Sequence, residues 1–422
     1  MTTSDLKILV SCRICGGEFS KETLTLKDSP LANELAVSRA EAFKAEKFPL
    51  QVVMCSICKH FQLKHIVNPD RLFSNYIYKS GTSNFFREHF KSLAKVISNT
   101  KELGQLKVVE IGSNDGILLD ELKSLGINCV GVEPSKQLTA ECLVRGLDVV
   151  HGFLNEDLVQ ELITSRGQFD FVVGNNVFAH IDDLLGAFKC ANQLLKTKGI
   201  FIFEVADFSK IREKGIFDSI YHEHMSFHTV TGLGLLAELS EFAIEKFTYL
   251  ESHGGSFRFF LKKGVGMSIS PKIEEQIEKE TSTGLGSPLI LSQLQKDIAR
   301  RRIAVSDFID KRDKRRLLVG YGAPAKAVTF ISEMELGNVG ITAILDDNIS
   351  KQGRYLPSSG IPITSKEDFI DSLRKLKRVE DPIDFMIFPW NLGTELVSKL
   401  KAWAPKQSRV ITFFPDLQVD YL

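Results

Sequence analysis

Residues 108–119 read VVEIGSNDGILL. An apolar run enters a glycine-containing turn and continues as an apolar segment compatible with a helix, which predicts a strand, a turn and a helix start. Glycine in such a turn lets a ligand approach the backbone closely, and the free amides at the start of a helix favour a polar or anionic group. Many such turns hold glycine for geometry alone, so the stretch by itself leaves a nucleotide site and a purely structural turn equally open.

An acidic residue follows at the end of the next predicted strand, residues 128–133. Glu133 would then come within reach of a ribose bound over the turn at 108–119. This spacing suits a ligand that carries an adenosine-like sugar.

The composition sets bounds on the class of protein. With 422 residues the chain exceeds what one core usually supports, which predicts two or three domains. Lys plus Arg and Asp plus Glu both number 53, so there is no overall electrostatic attraction to nucleic acid or to an anionic membrane. No apolar run reaches membrane-spanning length, so we expect a soluble, cytoplasmic protein. We also expect a monomer that binds neither nucleic acid nor membrane.

Four of the seven cysteines stand in two Cys-x-x-Cys pairs, Cys12 with Cys15 and Cys55 with Cys58. In a chain expected to be cytoplasmic, two such pairs predict four thiolates around one tetrahedral zinc ion rather than disulfides. Because all four positions are thiolates and none is open, the metal is expected to be structural. A redox-active pair is the alternative.

Strands and helices alternate along most of the remaining chain, which predicts an α/β fold with mostly parallel sheets. A second strand, glycine turn and helix begin at residues 317–327, LLVGYGAPAKA. We therefore expect two Rossmann-like units behind the zinc module, with a cleft between them as the natural active site. His180 follows a buried strand at the end that faces the ligand crevice in such sheets.

Residues 217–228, FDSIYHEHMSFH, place three histidines, an acid and a phenol close together. The His-x-His core invites a metal interpretation, but the His-Glu-x-x-His pattern of zinc proteases is absent. Acid and base chemistry fits better, because imidazole titrates near neutrality and a nearby carboxylate and phenol can orient it and hold a proton. A solvated loop is the remaining alternative.

With these motifs the chain resembles the sugar C-methyltransferases, which use S-adenosylmethionine to methylate a nucleotide-linked 4-keto-deoxysugar. The resemblance covers essentially the whole chain. It is carried, in chain order, by the two Cys-x-x-Cys pairs, EIGSNDG at 110–116, NVFAH at 176–180, YHEH at 221–224, HGGS at 253–256, GYGAPAK at 320–326 and QGRYLP at 352–357.

The resemblance implies three domains: a zinc-binding module at 1–72, an S-adenosylmethionine-binding methyltransferase domain at 73–265, and a Rossmann-like domain at 266–422 that helps to hold the nucleotide sugar. It further implies methyl transfer to a ring carbon, expected to be carbon 3, through an enolate. The acceptor would be linked to dTDP or GDP.

The resemblance also implies roles for individual residues. By position in its motif, His224 corresponds to the base, with Tyr221 and Glu223 orienting it or stabilising the enolate oxygen, and with His180 and Tyr76 in support. The residues expected at the methyl donor are Glu110, Gly112, Ser113, Asn114, Gly116, Glu133 and Asn176. Those expected at the nucleotide sugar are His222, His253, Gly254, Gly255, Arg258, Lys326, Arg354, Tyr355 and Trp390.

The sequence departs from the family pattern at residues 225–228, MSFH, where a leucine and a tyrosine are more usual. The departure bears on how the sugar fits, and it leaves His228 without an assigned role. Two other functions stand beside methyl transfer: a nicotinamide-dependent nucleotide-sugar oxidoreductase, and a non-enzymatic zinc adaptor. An oxidoreductase is less favoured because neither glycine turn has a complete Gly-x-Gly-x-x-Gly pattern. A zinc adaptor is less favoured because it would not need the polar cluster at 221–224.

Overall fold

The computed structural model describes residues 5–74, 79–82, 84–99, 106–264 and 270–422. The described chain forms four β-sheets of two, four, six and seven strands, joined by helices. Both of the larger sheets are mostly parallel and carry helices between their strands, which confirms the predicted α/β class.

The N-terminal part is built from short strands. Its elements are β1 (Leu6–Ile8), β2 (Phe19–Pro30), α1 (Arg39–Ala42), β3 (Lys47–Cys55), β4 (Phe61–Leu63), β5 (His65–Val67) and α2 (Pro69–Phe73). β2, β3 and β4 form an antiparallel sheet, and β1 pairs with β5. The fourth strand of that sheet, β11 (Ser226–Phe227), comes from the histidine-rich stretch and pairs with β4. This pairing joins the stretch to the cysteine module.

The central part contains the first glycine turn. Its elements are α3 (Asn84–Ser98), β6 (Lys107–Ile111), α4 (Ile117–Ser124), β7 (Asn128–Glu133), α5 (Lys136–Val144), β8 (Val149–His151), α6 (Glu156–Arg166), β9 (Phe169–Asn175), α7 (Leu184–Leu194), β10 (Leu195–Ala206), α8 (Phe208–Lys214), α9 (Val230–Leu239), β12 (Phe242–Leu250) and β13 (Ser256–Lys263). The strand order is β12-β13-β10-β9-β6-β7-β8, and only the pairs that include β13 are antiparallel.

The strand order explains where a ligand can bind in the central sheet. β6 lies between β7 and β9, so the connections after β6 leave in opposite directions and open a crevice at its carboxyl end. The glycine turn begins at that end. One face of the sheet packs against α3 and α4 and the other against α6, α7 and α9, which leaves the strand ends as the accessible edge.

The C-terminal part repeats the same plan. Its elements are α10 (Pro271–Ser282), α11 (Leu289–Lys311), β14 (Leu317–Tyr321), α12 (Ala325–Glu333), β15 (Ile341–Leu345), β16 (Ile363–Thr364), α13 (Lys366–Lys375), β17 (Ile383–Ile387), α14 (Gly393–Lys401), β18 (Arg409–Thr412) and β19 (Gln418–Tyr421). The order β16-β15-β14-β17-β18-β19 places β14, the first strand of this sheet in the chain, between β15 and β17, as β6 lies between β7 and β9. The predicted domain boundary between 265 and 266 falls outside the described residues, and the three predicted domain ranges remain predictions.

The cysteine module and the C-terminal part share a single buried core. β2 is the edge strand of its sheet and lies against α11 and α12. The Oε1 atom of Gln295 accepts from the Thr25 amide at 2.8 Å, and the Oε2 atom of Glu333 accepts from the Lys27 amide at 2.6 Å. Side chains of the C-terminal part thus satisfy edge amides that would otherwise lack partners. Among the described helices, none is long and apolar enough to cross a bilayer.

Candidate functional site

The four cysteine sulfurs meet at one point between the β1–β2 connection and the β3–β4 turn. The Sγ atoms of Cys12 and Cys58 are 3.6 Å apart, those of Cys15 and Cys55 are 3.5 Å apart, and all four lie within 4.8 Å of one another. Tetrahedral zinc with Zn–S bonds of about 2.3 Å separates its sulfurs by about 3.8 Å, so the cluster fits zinc. The Ile14 amide donates to Cys12 Sγ and the Ile57 amide donates to Cys55 Sγ, both at 3.4 Å. Such donors stabilise the negative charge of a thiolate.

We expect the variant Cys55→Ser to lose bound zinc and to unfold at lower temperature. A closed four-thiolate site contributes its binding free energy to folding, and one hydroxyl in place of a thiolate weakens it. Zinc content per chain should fall below that of the wild type, because the remaining three thiolates bind the metal more weakly. Cys129→Ser is the control, since Cys129 lies on β7 outside the cluster and should retain the metal. Equal zinc content in the two variants would contradict the assignment.

The glycine turn between β6 and α4 packs closely against the end of β7 and the loop after β9. The amides of Gly112 and Ser113 both donate to the Val132 carbonyl, at 2.8 and 3.1 Å. Gly112 has φ +66°, and a Cβ placed on it would lie 2.7 Å from Val177 Cγ2. Gly116, at φ +73°, precedes α4. Both predicted glycines are therefore required by backbone conformation and by space.

Buried polar atoms without partners collect beside this turn. Glu110 Oε1 accepts from Asn175 Nδ2 at 3.3 Å, across the carboxyl ends of β6 and β9. Within the described part of the chain, Glu110 Oε2, Ser113 Oγ and Asn175 Oδ1 have no hydrogen-bond partner. Burial raises the pKa of Glu110 well above its usual value. Orphaned polar groups of this kind are expensive in a finished core, so the crevice fits a polar ligand such as S-adenosylmethionine.

Glu133 stands at the end of β7, where the sequence predicted it. Its two carboxylate oxygens accept from the amides of Asn114 and Ser135, both at 2.8 Å, and burial raises its pKa. Asn114, at φ +51°, in turn accepts from the Ser80 amide at 3.0 Å. Asn176, at φ +55°, donates its amide to the Glu204 carbonyl at 2.9 Å. These residues thus surround the glycine turn and shape its backbone.

The histidine-rich stretch holds a half-buried imidazole, His224, in a defined orientation. His224 Nδ1 lies 2.6 Å from the Ser219 carbonyl oxygen, and His224 Nε2 lies 2.8 Å from the Tyr221 hydroxyl. A carbonyl can only accept, so we assign the proton to Nδ1 and the lone pair to Nε2, which accepts from the phenol. Burial lowers the pKa of His224 to about 4. The imidazole is therefore a neutral base at pH 7.

His180 lies against this base. The ring centroids of His180 and His224 are 5.0 Å apart, edge to face, and Phe73 contacts the His180 ring at 5.6 Å. The loop after β9 therefore meets the end of α2 and the histidine-rich stretch at one place. Tyr76, the remaining predicted catalytic residue, lies outside the described residues.

Neighbouring residues of the stretch point to the cysteine module. Asn33 Nδ2 lies 2.7 and 2.9 Å from the two carboxylate oxygens of Glu223. His222 Nε2 lies 3.2 Å from the Phe48 carbonyl oxygen, and burial lowers the pKa of His222 to about 4. His222 is thus tied to β3, apart from the Tyr221–His224 pair. His228 is buried against Phe178, whose carbonyl oxygen lies 3.2 Å from Nε2.

The C-terminal part delivers a cation and an indole to the same region. Lys326 Nζ lies 4.2 Å from the centre of the Trp390 ring, and its charge helps to lower the pKa of His224. Trp390 Nε1 donates to Asp218 Oδ2 at 3.1 Å, and burial raises the pKa of Asp218 to about 7. A Cβ on Gly254 would lie 2.3 Å from the Trp390 ring, so glycine is required there.

Other residues predicted at the nucleotide sugar lie elsewhere or make structural contacts. Arg354 Nη1 donates to the Leu35 carbonyl at 3.4 Å, and the backbone of Tyr355 pairs with Ala36. Gly255 has φ +133°, and a Cβ there would lie 2.1 Å from the Tyr249 hydroxyl. His253 belongs to a single helical turn beside Gly254.

Arg258 is part of a buried ionic network. Its Nε atom donates to Glu204 Oε1 at 2.5 Å, and His89 Nε2 lies 2.6 Å from Glu204 Oε2. The side chains of Arg258 and Glu204 are 6% and 0% exposed. The guanidinium therefore neutralises Glu204 beneath α3. The sequence did not indicate His89, since no motif connects a helix residue to a strand more than 100 positions later.

We expect Arg258→Ala to lower the free energy of unfolding by about 3–5 kcal/mol, because it leaves the Glu204 carboxylate buried without its partner. Chemical denaturation measures the loss. The double variant Arg258→Met with Glu204→Gln removes both charges and should recover much of the stability. An Arg258→Ala protein of unchanged stability that binds nucleotide sugar poorly would instead favour the substrate contact.

Three sequence-family profiles match the chain in succession. A zinc binding domain matches residues 12–73, a methyltransferase domain matches residues 78–246, and a C-methyltransferase C-terminal domain matches residues 251–415. With the geometry of the cysteine cluster and the glycine turn, these matches define an S-adenosylmethionine-dependent methyltransferase with a zinc-binding module.

Individual relatives indicate which kind of methyltransferase this chain is similar to. The C-methyltransferase NovU of Streptomyces niveus is 27% identical over 97% of this chain and 96% of its own length. Along almost its whole length the chain is therefore similar to the S-adenosylmethionine-dependent C-methyltransferases. The ubiquinone biosynthesis O-methyltransferase of Bradyrhizobium diazoefficiens is 29% identical over 33% of this chain and 51% of its own. Magnesium protoporphyrin IX methyltransferase of Synechocystis PCC 6803, solved with S-adenosylmethionine, is 14% identical over 44% of this chain and 88% of its own, with a TM-score of 0.34.

These findings confirm the predicted family, the enzyme class and the two cofactors, S-adenosylmethionine and zinc. The oxidoreductase and zinc-adaptor alternatives are thereby set aside.

The second glycine turn is closely packed. A Cβ on Gly322 would lie 2.5 Å from Pro389, and one on Gly320 would lie 2.7 Å from Ile344 and Phe388. Both glycines there serve packing.

Proposed function

We propose that this enzyme transfers the methyl group of S-adenosylmethionine to a ring carbon, carbon 3, of a nucleotide-linked 4-keto-deoxysugar. The observation that supports it best is the neutral imidazole of His224, which is half-buried and oriented by the Ser219 carbonyl and the Tyr221 phenol. Its Nε2 lone pair is available at pH 7 to accept a proton from a carbon next to a ketone.

In this proposal His224 Nε2 accepts the proton from the sugar carbon. The Tyr221 hydroxyl, now donating to that nitrogen, turns to the ketone oxygen and stabilises the charge that develops there as the enolate forms. Hydrogen bonding to Ser219 keeps Nδ1 protonated, so the imidazole can accept only at Nε2. His180 packs on the base and limits its movement, and Tyr76 is a further candidate donor.

When bound, S-adenosylmethionine would supply an electrophilic methyl group to the substrate carbanion and leave as S-adenosylhomocysteine. We assign its site to the crevice at the end of β6, where Glu110, Ser113 and Asn175 carry unpartnered polar atoms. Glu133 at the end of β7 is the candidate for the ribose hydroxyls. The protein contributes alignment of the methyl group with the carbanion.

Lys326 and Trp390 are the candidates for the nucleotide part of the acceptor. The ammonium of Lys326 suits a diphosphate and the indole of Trp390 suits a base or sugar face. Asp218 holds the indole by its Nε1 atom. Activity with dTDP-linked or with GDP-linked sugars identifies which nucleotide the enzyme accepts.

We expect methyl transfer from S-adenosylmethionine to a member of a panel of dTDP- and GDP-linked 4-keto-deoxysugars. Mass spectrometry should find a gain of one methylene, and NMR should locate a new carbon-bound methyl group at carbon 3. A parallel reaction with NAD⁺ or NADPH in place of S-adenosylmethionine should leave the sugars unchanged. Methylation of a hydroxyl, or no transfer to any member of the panel, would overturn the proposal.

We expect His224→Asn to lower kcat by about 10²- to 10⁴-fold, the range that a positioned general base contributes. S-adenosylmethionine should bind it with unchanged Kd by calorimetry, because His224 lies outside the glycine turn. His65→Asn, on β5, is the matched control and should keep full activity.

The pH profile of the wild-type enzyme gives a second readout. His224 loses its function as a base only when it is protonated, and its pKa is lowered to about 4. The value of kcat/KM should therefore stay level from about pH 8 to about pH 5.5 and fall below that. Half-loss near pH 6.5, the ordinary value for an exposed imidazole, would contradict the assignment.

A further inference from the structure

The loop after β2 lies where all three parts of the chain meet. Leu31 and Ala32 are buried in the core shared with the C-terminal part. Farther along, Ala36 forms a backbone bridge with Tyr355, and Arg354 donates to the Leu35 carbonyl. The loop is thus held on the side of the C-terminal part, and the side chain of Asn33 reaches from it to the histidine-rich stretch.

Asn33 makes a specific contact there. Its Nδ2 atom lies 2.7 Å from Oε1 and 2.9 Å from Oε2 of Glu223, whose side chain is 2% exposed. An amide N–H that lies between both oxygens of a carboxylate fixes the rotation of that carboxylate about its Cγ–Cδ bond. The donor is a neutral amide, so this contact brings no positive charge to Glu223. A lysine or arginine at this position would bring one.

We propose that Asn33 is a positioning residue for the methyl transfer, and that through it the zinc-binding module takes part in the acceptor site. Asn33 holds at a fixed angle the carboxylate of Glu223, the residue that precedes His224 in the chain, and in this proposal that angle lets the carboxylate assist His224 or accept from a sugar hydroxyl. The inference rests on the proposed function and on the role expected for Glu223 from its motif, which is to orient His224 or to stabilise the enolate oxygen. The loop's anchorage on the C-terminal part makes this orientation depend on how the domains pack.

The first test is Asn33→Ala in the full-length zinc enzyme. We expect kcat on the preferred 4-keto sugar to fall between about tenfold and 100-fold, the cost of a misplaced catalytic group. The Kd for S-adenosylmethionine and the zinc content should not change. Glu34→Gln is the matched control from the same loop: Glu34 is 43% exposed in its side chain and pairs with Arg71, so full activity is expected.

The second test reverses the pair. In the double variant Asn33→Asp with Glu223→Gln, the amide of Gln can donate to the carboxylate of Asp across the same gap. We expect this variant to recover the melting temperature of the wild type while kcat stays as low as in Glu223→Gln alone, because the charge now lies on the wrong side. A contact that merely joins the modules would restore both quantities.

Wild-type kcat in Asn33→Ala, or recovery of kcat in the reversed pair, would overturn the role of Asn33 and leave the proposed function standing. A wild-type enzyme that transfers no methyl group to any nucleotide sugar would overturn the proposed function and this role with it. If Asn33→Ala fails to fold, the reversed pair decides between the two roles.

Discussion

The hydrogen bond from His224 Nδ1 to the Ser219 carbonyl determines which nitrogen of this half-buried ring carries its proton. Desolvation makes the protonated ring unfavourable, so the imidazole stays neutral and its lone pair points to the Tyr221 phenol. This arrangement depends on the backbone of residues 217–228, which the surrounding parts of the chain hold in place.

Three parts of the chain hold that stretch, and each makes a directed contact. The zinc-binding module pairs β4 with β11 and places Asn33 on Glu223. The central sheet brings His180 against His224. The C-terminal part brings Trp390 onto Asp218. The contacts are made to different residues of one short stretch, so all three parts of the chain help to fix its position.

Much of the fold and of the two cofactor sites follows from local patterns. The paired cysteines have few chemical uses in such a chain, and the strand, glycine turn and helix at 108–119 have few stable conformations. The site residues were harder to predict. His222 and His224 are two positions apart and look equivalent in sequence, yet one contacts Phe48 and the other Tyr221. Arg258 was predicted at the nucleotide sugar because it follows the paired glycines, whereas the structure places it on Glu204.

The sequence by itself determined the α/β plan, the zinc ligands, the glycine turn and the cluster of proton-carrying side chains, because each depends on residues close together in the chain. Only the tertiary structure decided which of these side chains face one another. Asn33 and Glu223 are 190 positions apart, and Trp390 and Asp218 are 172 apart. No local pattern encodes such pairs, since they arise when separately folded units pack and each buried polar group must find a partner.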